Sequence, residues 1–155
     1  MTEEQTPAQV LLFECNLDDM TGEALGYVLE RVLEAGALDA WYTSIHAKKS
    51  RPAVVLSVIC RLDDERMMAR LILTETSTLG LRRSVFDRIL CDRETMAVET
   101  RWGTVSCKIK RLEGRVLNAK PEYEDCARIS REVGVPLEWV TREAQALAWE
   151  RVRQD

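Results

Sequence analysis

The chain has 155 residues, enough for one domain with a substantial apolar core. Apolar residues make up 46% of it and charged residues 31%, a balance typical of folded proteins rather than disordered ones. Its 22 basic and 26 acidic residues give a net charge of −4, which argues against nucleic acid as a partner. No signal peptide or long apolar run occurs, so we expect a cytoplasmic protein with no membrane partner.

The cysteines and the histidine limit the metal chemistry that the chain could perform. Five cysteines are widely separated and form no C-x-x-C pair, which predicts free, mostly buried thiols without a disulfide framework or a zinc knuckle. A nickel site made wholly by one chain would need several imidazole or thiolate ligands close together. With His46 as the one histidine, such ligands would have to come from a substrate or from another polypeptide segment.

The first part of the sequence alternates between strand and helix patterns. Residues 1–9 are polar and predict a loose terminus, and the apolar run at 10–15 predicts a strand. Thr21 is a suitable N-cap for a helix, and Gly36 is a suitable residue to end it. Apolar residues between them recur with the helical period, so one face that includes Leu33 is predicted to be buried.

A hairpin and a second helix follow. Residues 39–48 alternate between two faces and residues 53–60 are rich in β-branched side chains, so both are predicted strands. An aspartate pair precedes the second helix, the hydroxyl-rich residues 74–78 end it, and another strand comes next. The order βαββαβ predicts an α+β fold with a ferredoxin-like core over residues 10–90.

Residues 91–155 are predicted to add β-strands and a C-terminal pair of helices, packed as one unit with the core. The additional strands are expected over residues 94–100, 105–112 and 115–119. Lys120 and Pro121 predict the start of a helix, with proline in its first turn. Its predicted apolar face includes Val133, and Gly134 and Pro136 break it. A last helix follows over residues 137–152.

Paired carboxylates form the first candidate site. Asp18 and Asp19 come between a predicted strand and a predicted helix, close to Asn16. They could bind Mg²⁺ or Mn²⁺, which prefer oxygen ligands and often share them with phosphates. The alternative is that the acids only cap the helix and complement its dipole.

Two further clusters could bind an anion. Lys48, Lys49 and Arg51 surround the predicted hairpin turn and could hold a triphosphate, although lysines at an exposed edge also prevent aggregation. A second set of hydroxyl and guanidinium groups resembles an anion-binding loop, although hydroxyls that bond the local backbone would give the same pattern. That set consists of Thr76, Ser77, Thr78 and Arg82.

The fourth cluster spans residues 120–125. Its acids lie in the predicted first turn of a helix, where the helix dipole favours them, but Tyr123 has no such reason and could stack on a base. Neither G-x-x-x-x-G-K-[ST] nor G-x-G-x-x-G occurs, which excludes a standard P-loop enzyme and a Rossmann dehydrogenase.

Taken together, these segments resemble the C-terminal domain of LarC, the family of nickel-pincer cofactor cyclometallases. The matching stretches are residues 14–23, 33–39, 48–52, 75–82 and 120–126, and they occur in the family's order. The resemblance extends over about residues 10–145, and it is specific as a whole rather than in any one stretch.

The resemblance implies a CTP-dependent nickel insertase of the lyase class. In this family CTP cytidylylates pyridinium-3,5-bisthiocarboxylic acid mononucleotide and diphosphate is released. Nickel then forms two Ni–S bonds and one Ni–C bond, CMP departs, and the product is the nickel-pincer nucleotide of lactate racemase type enzymes. The substrate would thereby supply the soft donors that nickel prefers.

The resemblance also implies roles for residues of this chain. Asp18 and Asp19 would hold Mg²⁺ or Mn²⁺, while no residue is assigned to catalysis. Glu122 and Tyr123 would contact the sugar or base of CTP. The triphosphate would lie among Lys48, Lys49, Arg51, Thr76, Ser77, Thr78 and Arg82.

The family normally carries an N-terminal module, and no segment resembling it precedes residue 10. We therefore expect the C-terminal part of an enzyme, or one half of a split enzyme, and we expect a homo-oligomer.

Three other functions are alternatives to this one. A nucleotide-binding regulatory module would bind CTP without turning it over. A single-stranded RNA binder shares the βαββαβ order but needs an RNP pattern and a basic face, which the chain lacks. An assembly domain could associate through Trp139 or Trp149 on the last helix, and that role is compatible with the first.

Overall fold

The computed structural model describes residues 8–153, and the chain divides into two compact units between Ile89 and Leu90. Each unit has its own apolar core. The first unit has the βαββαβ order and the second has three strands followed by two helices, so the predicted α+β class with a ferredoxin-like core is confirmed. That residues 91–155 pack as one unit with this core stays a prediction.

The first unit contains a four-stranded antiparallel sheet in the order β2-β3-β1-β4. Its elements are β1 (Ala8–Leu17), α1 (Gly22–Glu34), β2 (Asp39–Ala47), β3 (Arg51–Cys60), α2 (Glu65–Glu75) and β4 (Arg82–Arg88). Short 3₁₀ turns at Lys48–Ser50 and Leu62–Asp64 precede β3 and α2. Of the predicted loose terminus, residues 1–7 lie outside the described part, and the strand begins at Ala8, two residues earlier than predicted.

The first core forms because the apolar residues of β1 recur with the period of a strand and those of α1 and α2 with the period of a helix. Every second residue of β1 is buried from Leu11 to Leu17, while Leu12, Glu14 and Asn16 alternate with them on the other face. The buried side chains are Leu11, Phe13, Cys15 and Leu17 of β1, Val28 and Val32 of α1, and Met68 and Ile72 of α2. The helix pairs are each four residues apart, so they share one face.

The ends of α1 are those predicted. The hydroxyl of Thr21 accepts a hydrogen bond from the amide of Ala24 at 3.2 Å, and Gly36 follows the helix with φ of 96°. Leu33, predicted on the buried face, is 45% exposed because it lies at the margin of that face. Asp64 precedes α2 without a side-chain capping bond, since its carboxylate pairs with Arg61 at 3.6 Å.

The second unit contains a three-stranded antiparallel sheet in the order β5-β6-β7. Its elements are β5 (Asp92–Thr100), β6 (Gly103–Leu112), β7 (Arg115–Pro121), α3 (Tyr123–Val133) and α4 (Leu137–Val152). The core residues include Val105, Cys107 and Ile109 of β6, Ile129 of α3, and Val140, Ala144 and Ala148 of α4.

Two predictions about α3 are wrong. Pro121 does not start the helix: it ends β7 opposite Cys107, and Glu122 is the residue that precedes the helix. Proline is tolerated there because β7 lies at the end of the described sheet. Val133, predicted on the apolar face of α3, is 48% exposed. Gly134 ends the helix as predicted, in the left-handed conformation with φ of 74°.

No helix between residues 8 and 153 combines the length and the apolar character that spanning a bilayer requires.

Candidate functional site

Strand pairing brings three of the predicted segments to one end of the first sheet. β1 is antiparallel to both of its neighbours, so its carboxyl end lies beside the first residues of β3 and of β4. In the register, Leu17 pairs with Val54 and Glu14 pairs with Arg82. The carboxylates that follow β1, the turn that precedes β3 and the loop that precedes β4 therefore share this end of the sheet, and we call these three segments the polar cluster.

The turn before β3 has an unusual backbone. Lys49 and Ser50 adopt left-handed conformations, with φ of 62° and 56°, which cost a non-glycine residue roughly 1–2 kcal/mol each. The turn joins β2 to β3, and tight hairpin turns often need residues with positive φ. In the part of the chain that the structure describes, Lys48 and Lys49 have no ionic partner, so their charges are free to meet an anion.

The two carboxylates of the cluster are tied to two different segments. Asp18 Oδ2 lies 3.2 Å from Arg51 Nη1, and the Ser77 hydroxyl donates to Asp19 Oδ1. These contacts join residues that are 33 and 58 positions apart in the sequence. In each of these two contacts, a predicted metal ligand therefore meets a predicted phosphate ligand.

The hydroxyl residues before β4 divide into two kinds. The Thr76 hydroxyl donates to the Ile72 carbonyl at 2.7 Å, and the Thr78 hydroxyl donates to the Gly80 carbonyl at 2.9 Å. Both bonds serve the local backbone, as in the alternative considered for this loop. Ser77 is the member of the three whose side chain reaches another segment of the cluster.

Arg82 is held by the exposed face of the sheet. Its Nη2 donates to Asn16 Oδ1 at 2.9 Å, and its Nε lies 3.8 Å from Glu14 Oε2. Glu14 in turn accepts a hydrogen bond from the Ser57 hydroxyl at 3.4 Å. Sequence reasoning missed Glu14, although a charged residue within the apolar run of β1 was a signal that one face of this strand is polar.

The donor set of the polar cluster fits a hard cation rather than nickel. Between residues 8 and 153, no three His, Cys, Asp or Glu side chains are arranged to hold a metal ion. Asp18, Asp19 and Asn16 offer oxygen atoms alone, and Mg²⁺ is typically bound by one or two carboxylates together with waters and substrate phosphates. His46 is exposed on β2 and belongs to no such group.

The buried thiols are also poor metal ligands. All five cysteines are free, as predicted, and Cys91 is the one that is not fully buried. Burial raises the pKa of the Cys15 thiol, and a hydrogen bond with Thr78 and the charge of Arg82 offset only part of that rise. Burial raises the pKa of Cys107 to about 11. Thiols with raised pKa values stay protonated at neutral pH, and the thiolate is the form that binds metals.

Glu122 and Tyr123 belong to the second unit. The carboxylate of Glu122 lies 2.5 Å from Lys108 Nζ, whereas the ring of Tyr123 is mostly exposed, with no packing role in the second core. Their contacts to the sugar or base of CTP stay a prediction, as do the roles assigned to the polar cluster.

The sequence profile of the nickel insertion protein family matches residues 1–141. The chain belongs to this family. Among its relatives in the nickel insertion family is a Staphylococcus epidermidis protein named pyridinium-3,5-bisthiocarboxylic acid mononucleotide nickel insertion protein. The two are 44% identical over 141 residues, which cover 91% of this chain and 35% of that protein. The chain thus spans about a third of the length of such a relative.

Two solved structures show that this family's fold is present. The C-terminal domain of a cyclometallase involved in the synthesis of the NPN cofactor of lactate racemase, in its apo form, is 38% identical, with a TM-score of 0.83. The match covers 92% of this chain and 98% of that domain. A Methanopyrus kandleri protein is 28% identical, with a TM-score of 0.72 over 92% of this chain and 87% of that one. The resemblance to the LarC C-terminal domain is confirmed.

Proposed function

We propose that this chain is the CTP-binding part of a cyclometallase that inserts nickel into pyridinium-3,5-bisthiocarboxylic acid mononucleotide. The observation that carries the proposal is the polar cluster, in which cations, carboxylates and a hydroxyl from three segments lie at one end of the first sheet. Family membership and the names of the relatives support the substrate and the metal.

The chain's own side chains would bind and orient the nucleotide. Lys48, Lys49 and Arg51 would neutralise the triphosphate, and Ser77 would donate a hydrogen bond once it is released from Asp19. Arg82 would add a guanidinium on the strand side of the cluster. These residues would present the α-phosphorus for in-line attack by an oxygen of the substrate. The bond from the α-phosphorus to the bridging oxygen then breaks, and diphosphate leaves.

Asp18 and Asp19 would hold the Mg²⁺ or Mn²⁺ ion that accompanies the triphosphate. Such an ion, when bound, would supply charge neutralisation at the phosphate oxygens. Nickel is a substrate of the reaction, and it would take its sulfur and carbon ligands from the pyridinium compound rather than from the buried thiols of this chain. The proposal assigns no nucleophile or general base to the chain.

The first test is isothermal titration of the chain with CTP, ATP, GTP and UTP, each with and without Mn²⁺. We expect binding that is selective for CTP and strengthened by the metal. Equal binding of all four nucleotides, or no binding, would contradict the proposal that this chain forms the CTP site. Weaker CTP binding by Tyr123→Leu, with binding by Tyr27→Leu unchanged, would support a contact between the Tyr123 ring and the base.

A regulatory nucleotide-binding module is the alternative to a catalytic part. Diphosphate release from CTP in the presence of the pyridinium substrate separates the two, because a regulatory module would bind CTP and release none. The assay should be run with and without the rest of the enzyme, since we expect an N-terminal module to take part. Light scattering would test the expected homo-oligomer, and fractionation would test the cytoplasmic location.

A further inference from the structure

A groove between α1 and α2 lies on the helical side of the first unit and has a volume of about 660 Å³. It is lined by Arg31 and Ala35 of α1, by Asp63, and by residues along one side of α2. None of the residues that form the polar cluster lines it. The groove therefore needs an explanation of its own.

Positive charge dominates the groove. Arg66 and Arg70 lie one helical turn apart on α2, and Arg31 faces them from α1. Asp63 is the acidic residue in the lining, so three guanidinium groups meet one carboxylate. In the region that the structure describes, neither Arg66 nor Arg70 forms a salt bridge.

The acidic residues beside the groove are already occupied. Glu65 accepts two hydrogen bonds from Arg83, at 2.7 and 2.8 Å, and Asp64 pairs with Arg61 at 3.6 Å. The charges of Glu65 and Asp64 are thus already compensated by guanidinium groups that do not line the groove. Glu34 compensates part of the charge of Arg31, at 3.4 Å, whereas Arg66 and Arg70 have no such partner within residues 8–153.

Arg31 provides an independent sign that an acceptor is missing. Its Nη1 reaches Glu34 Oε2 only at 3.4 Å, and its Nε is buried without a hydrogen-bond partner among residues 8–153. A buried donor without an acceptor is unfavourable. A small reorientation of this side chain toward an oxyanion in the groove would satisfy the donor.

The groove also has an apolar part. Met67 and Leu71 line it between the arginines, and Met67 is 42% exposed. Methionine adapts its shape readily and makes favourable contacts with aromatic rings. The occupant that matches both halves of the groove has an anionic head and an apolar or aromatic body.

We propose that the α1/α2 groove binds a small phosphate monoester with an aromatic or apolar body, at a site separate from the polar cluster. The doubly charged phosphate suits Arg66 and Arg70, which form no salt bridge within residues 8–153, and guanidinium forks suit its oxygen atoms. Met67 and Leu71 contact the body of the ligand. The proposal does not depend on CTP binding or on nickel insertion.

The test is isothermal titration of the chain with phenyl phosphate, with inorganic phosphate and benzoate titrated in parallel. Phenyl phosphate is expected to bind more tightly than either, because it alone has both the dianionic head and the ring. The double variant Arg66→Gln/Arg70→Gln should weaken its binding at least tenfold. The matched control Arg128→Gln/Arg142→Gln changes two exposed arginines of α3 and α4 and should leave binding unchanged.

Two more variants test whether phenyl phosphate binds in the α1/α2 groove rather than in the polar cluster. Met67→Ser should weaken binding of phenyl phosphate but not of inorganic phosphate, and Arg51→Gln should affect neither. The proposal is overturned if millimolar phenyl phosphate does not bind, if Arg66→Gln/Arg70→Gln binds it like the unmodified chain, or if Arg51→Gln abolishes binding. Benzoate binding as tight as that of phenyl phosphate would contradict the phosphate specificity. Circular dichroism of each variant confirms that these exposed substitutions leave the fold intact.

Discussion

The two charged regions that stand out in the sequence differ in what their charges connect. In the polar cluster, Arg51 and Ser77 reach carboxylates on a loop, and the neighbouring Lys48 and Lys49 have no ionic partner between residues 8 and 153. In the second unit, the backbone amide and the guanidinium of Arg101 both bond Glu143 of α4, at 2.8 and 2.6 Å. The charge of Arg101 ties a helix to the turn between β5 and β6 and so stabilises the fold. The lysines of the polar cluster tie no segments together, and their charges are available for a ligand.

Arg111 and Lys108 extend this contrast. Arg111 pairs with Glu94 on the neighbouring strand at 2.8 Å, and Lys108 pairs with Glu122. Residues 101–120 contain six basic residues and one acidic residue, and this basic stretch is partly neutralised within its own unit. An excess of basic residues in a sequence window does not by itself indicate a binding site, because the partners come from distant windows.

Replacing Arg51 is expected to have the largest effect on CTP binding, and its result tests whether the two regions differ as described. Arg51→Ala should raise the dissociation constant for CTP about tenfold to a hundredfold, since a hydrogen bond to a charged group contributes roughly 1.5–3 kcal/mol. The free energy of unfolding should change by less than about 1 kcal/mol, because the pair with Asp18 is exposed. Titration calorimetry and urea denaturation measure the two quantities.

Arg115→Ala is the matched control for that experiment. Arg115 is exposed on β7 and should affect neither CTP affinity nor stability. An unchanged CTP affinity in Arg51→Ala would remove the triphosphate assignment and, with it, the distinction between the two regions.

Replacing Asp125 in the second unit is expected to lower stability without changing CTP affinity. Its Oδ2 accepts a hydrogen bond from the Ser106 amide at 2.9 Å, and it lies in the first turn of α3. Asp125→Ala leaves that amide without its acceptor and should lower the free energy of unfolding by about 1–2 kcal/mol. CTP affinity should not change. The neighbour Glu124 is exposed, so Glu124→Ala serves as the control, and an equal loss of stability in both variants would refute this role.

The same carboxylate predicts a pH dependence. The hydrogen bond from the Ser106 backbone is the main cause that lowers the pKa of Asp125, and the nearby Arg128 contributes. Because the pKa is lower in the folded state, the stabilisation is present above the unfolded value of about 3.9 and is lost as the pH falls through the folded value. The difference in unfolding free energy between the unmodified chain and Asp125→Asn should shrink between about pH 6 and pH 3. A difference that stays constant over this range would contradict the assignment.

The smallest effect on stability is expected for a salt bridge between two exposed side chains. Arg142 pairs with Glu138 at 2.7 Å on α4, and both side chains are exposed. Arg142→Ala should lower the free energy of unfolding by only about 0.3–0.5 kcal/mol, and molar salt should abolish the effect. A loss of stability as large as that in Asp125→Ala would mean that the exposure of a contact does not determine how much it stabilises the fold. Arg131→Ala, at an exposed position of α3, controls for the loss of the side chain.

The order of strands and helices in the first unit could be predicted because it depends on hydrophobic periodicity and on turn residues. Both are visible in short stretches of the sequence. Thr21 and Gly36 mark the ends of α1 in the sequence as they do in the fold. Pro121 could not be placed, since proline suits the first turn of a helix as well as a strand at the end of a sheet. Its pairing with Cys107 on β6 decides between them, and that contact is not visible in the spacing.

The residue types of the polar cluster were predictable, but their meeting was not. Arg51 reaches Asp18 and Ser77 reaches Asp19 only because β1 pairs with β3 and β4 in one particular register. The same limit explains Glu14, whose contact with Arg82 depends on a cross-strand position. It also explains Asp125, whose partner lies 19 residues earlier in the chain.

The distribution of the free thiols has a practical consequence for spectroscopy. Cys15, Cys60, Cys107 and Cys126 are buried, and burial raises the pKa of each thiol, whereas Cys91 is only partly buried. Maleimides react with accessible thiolates, so Cys91 should be labelled first at neutral pH. Cys91 lies two residues after the division between the units. A fluorophore or nitroxide could therefore be attached beside this division in the natural sequence, without first removing any cysteine.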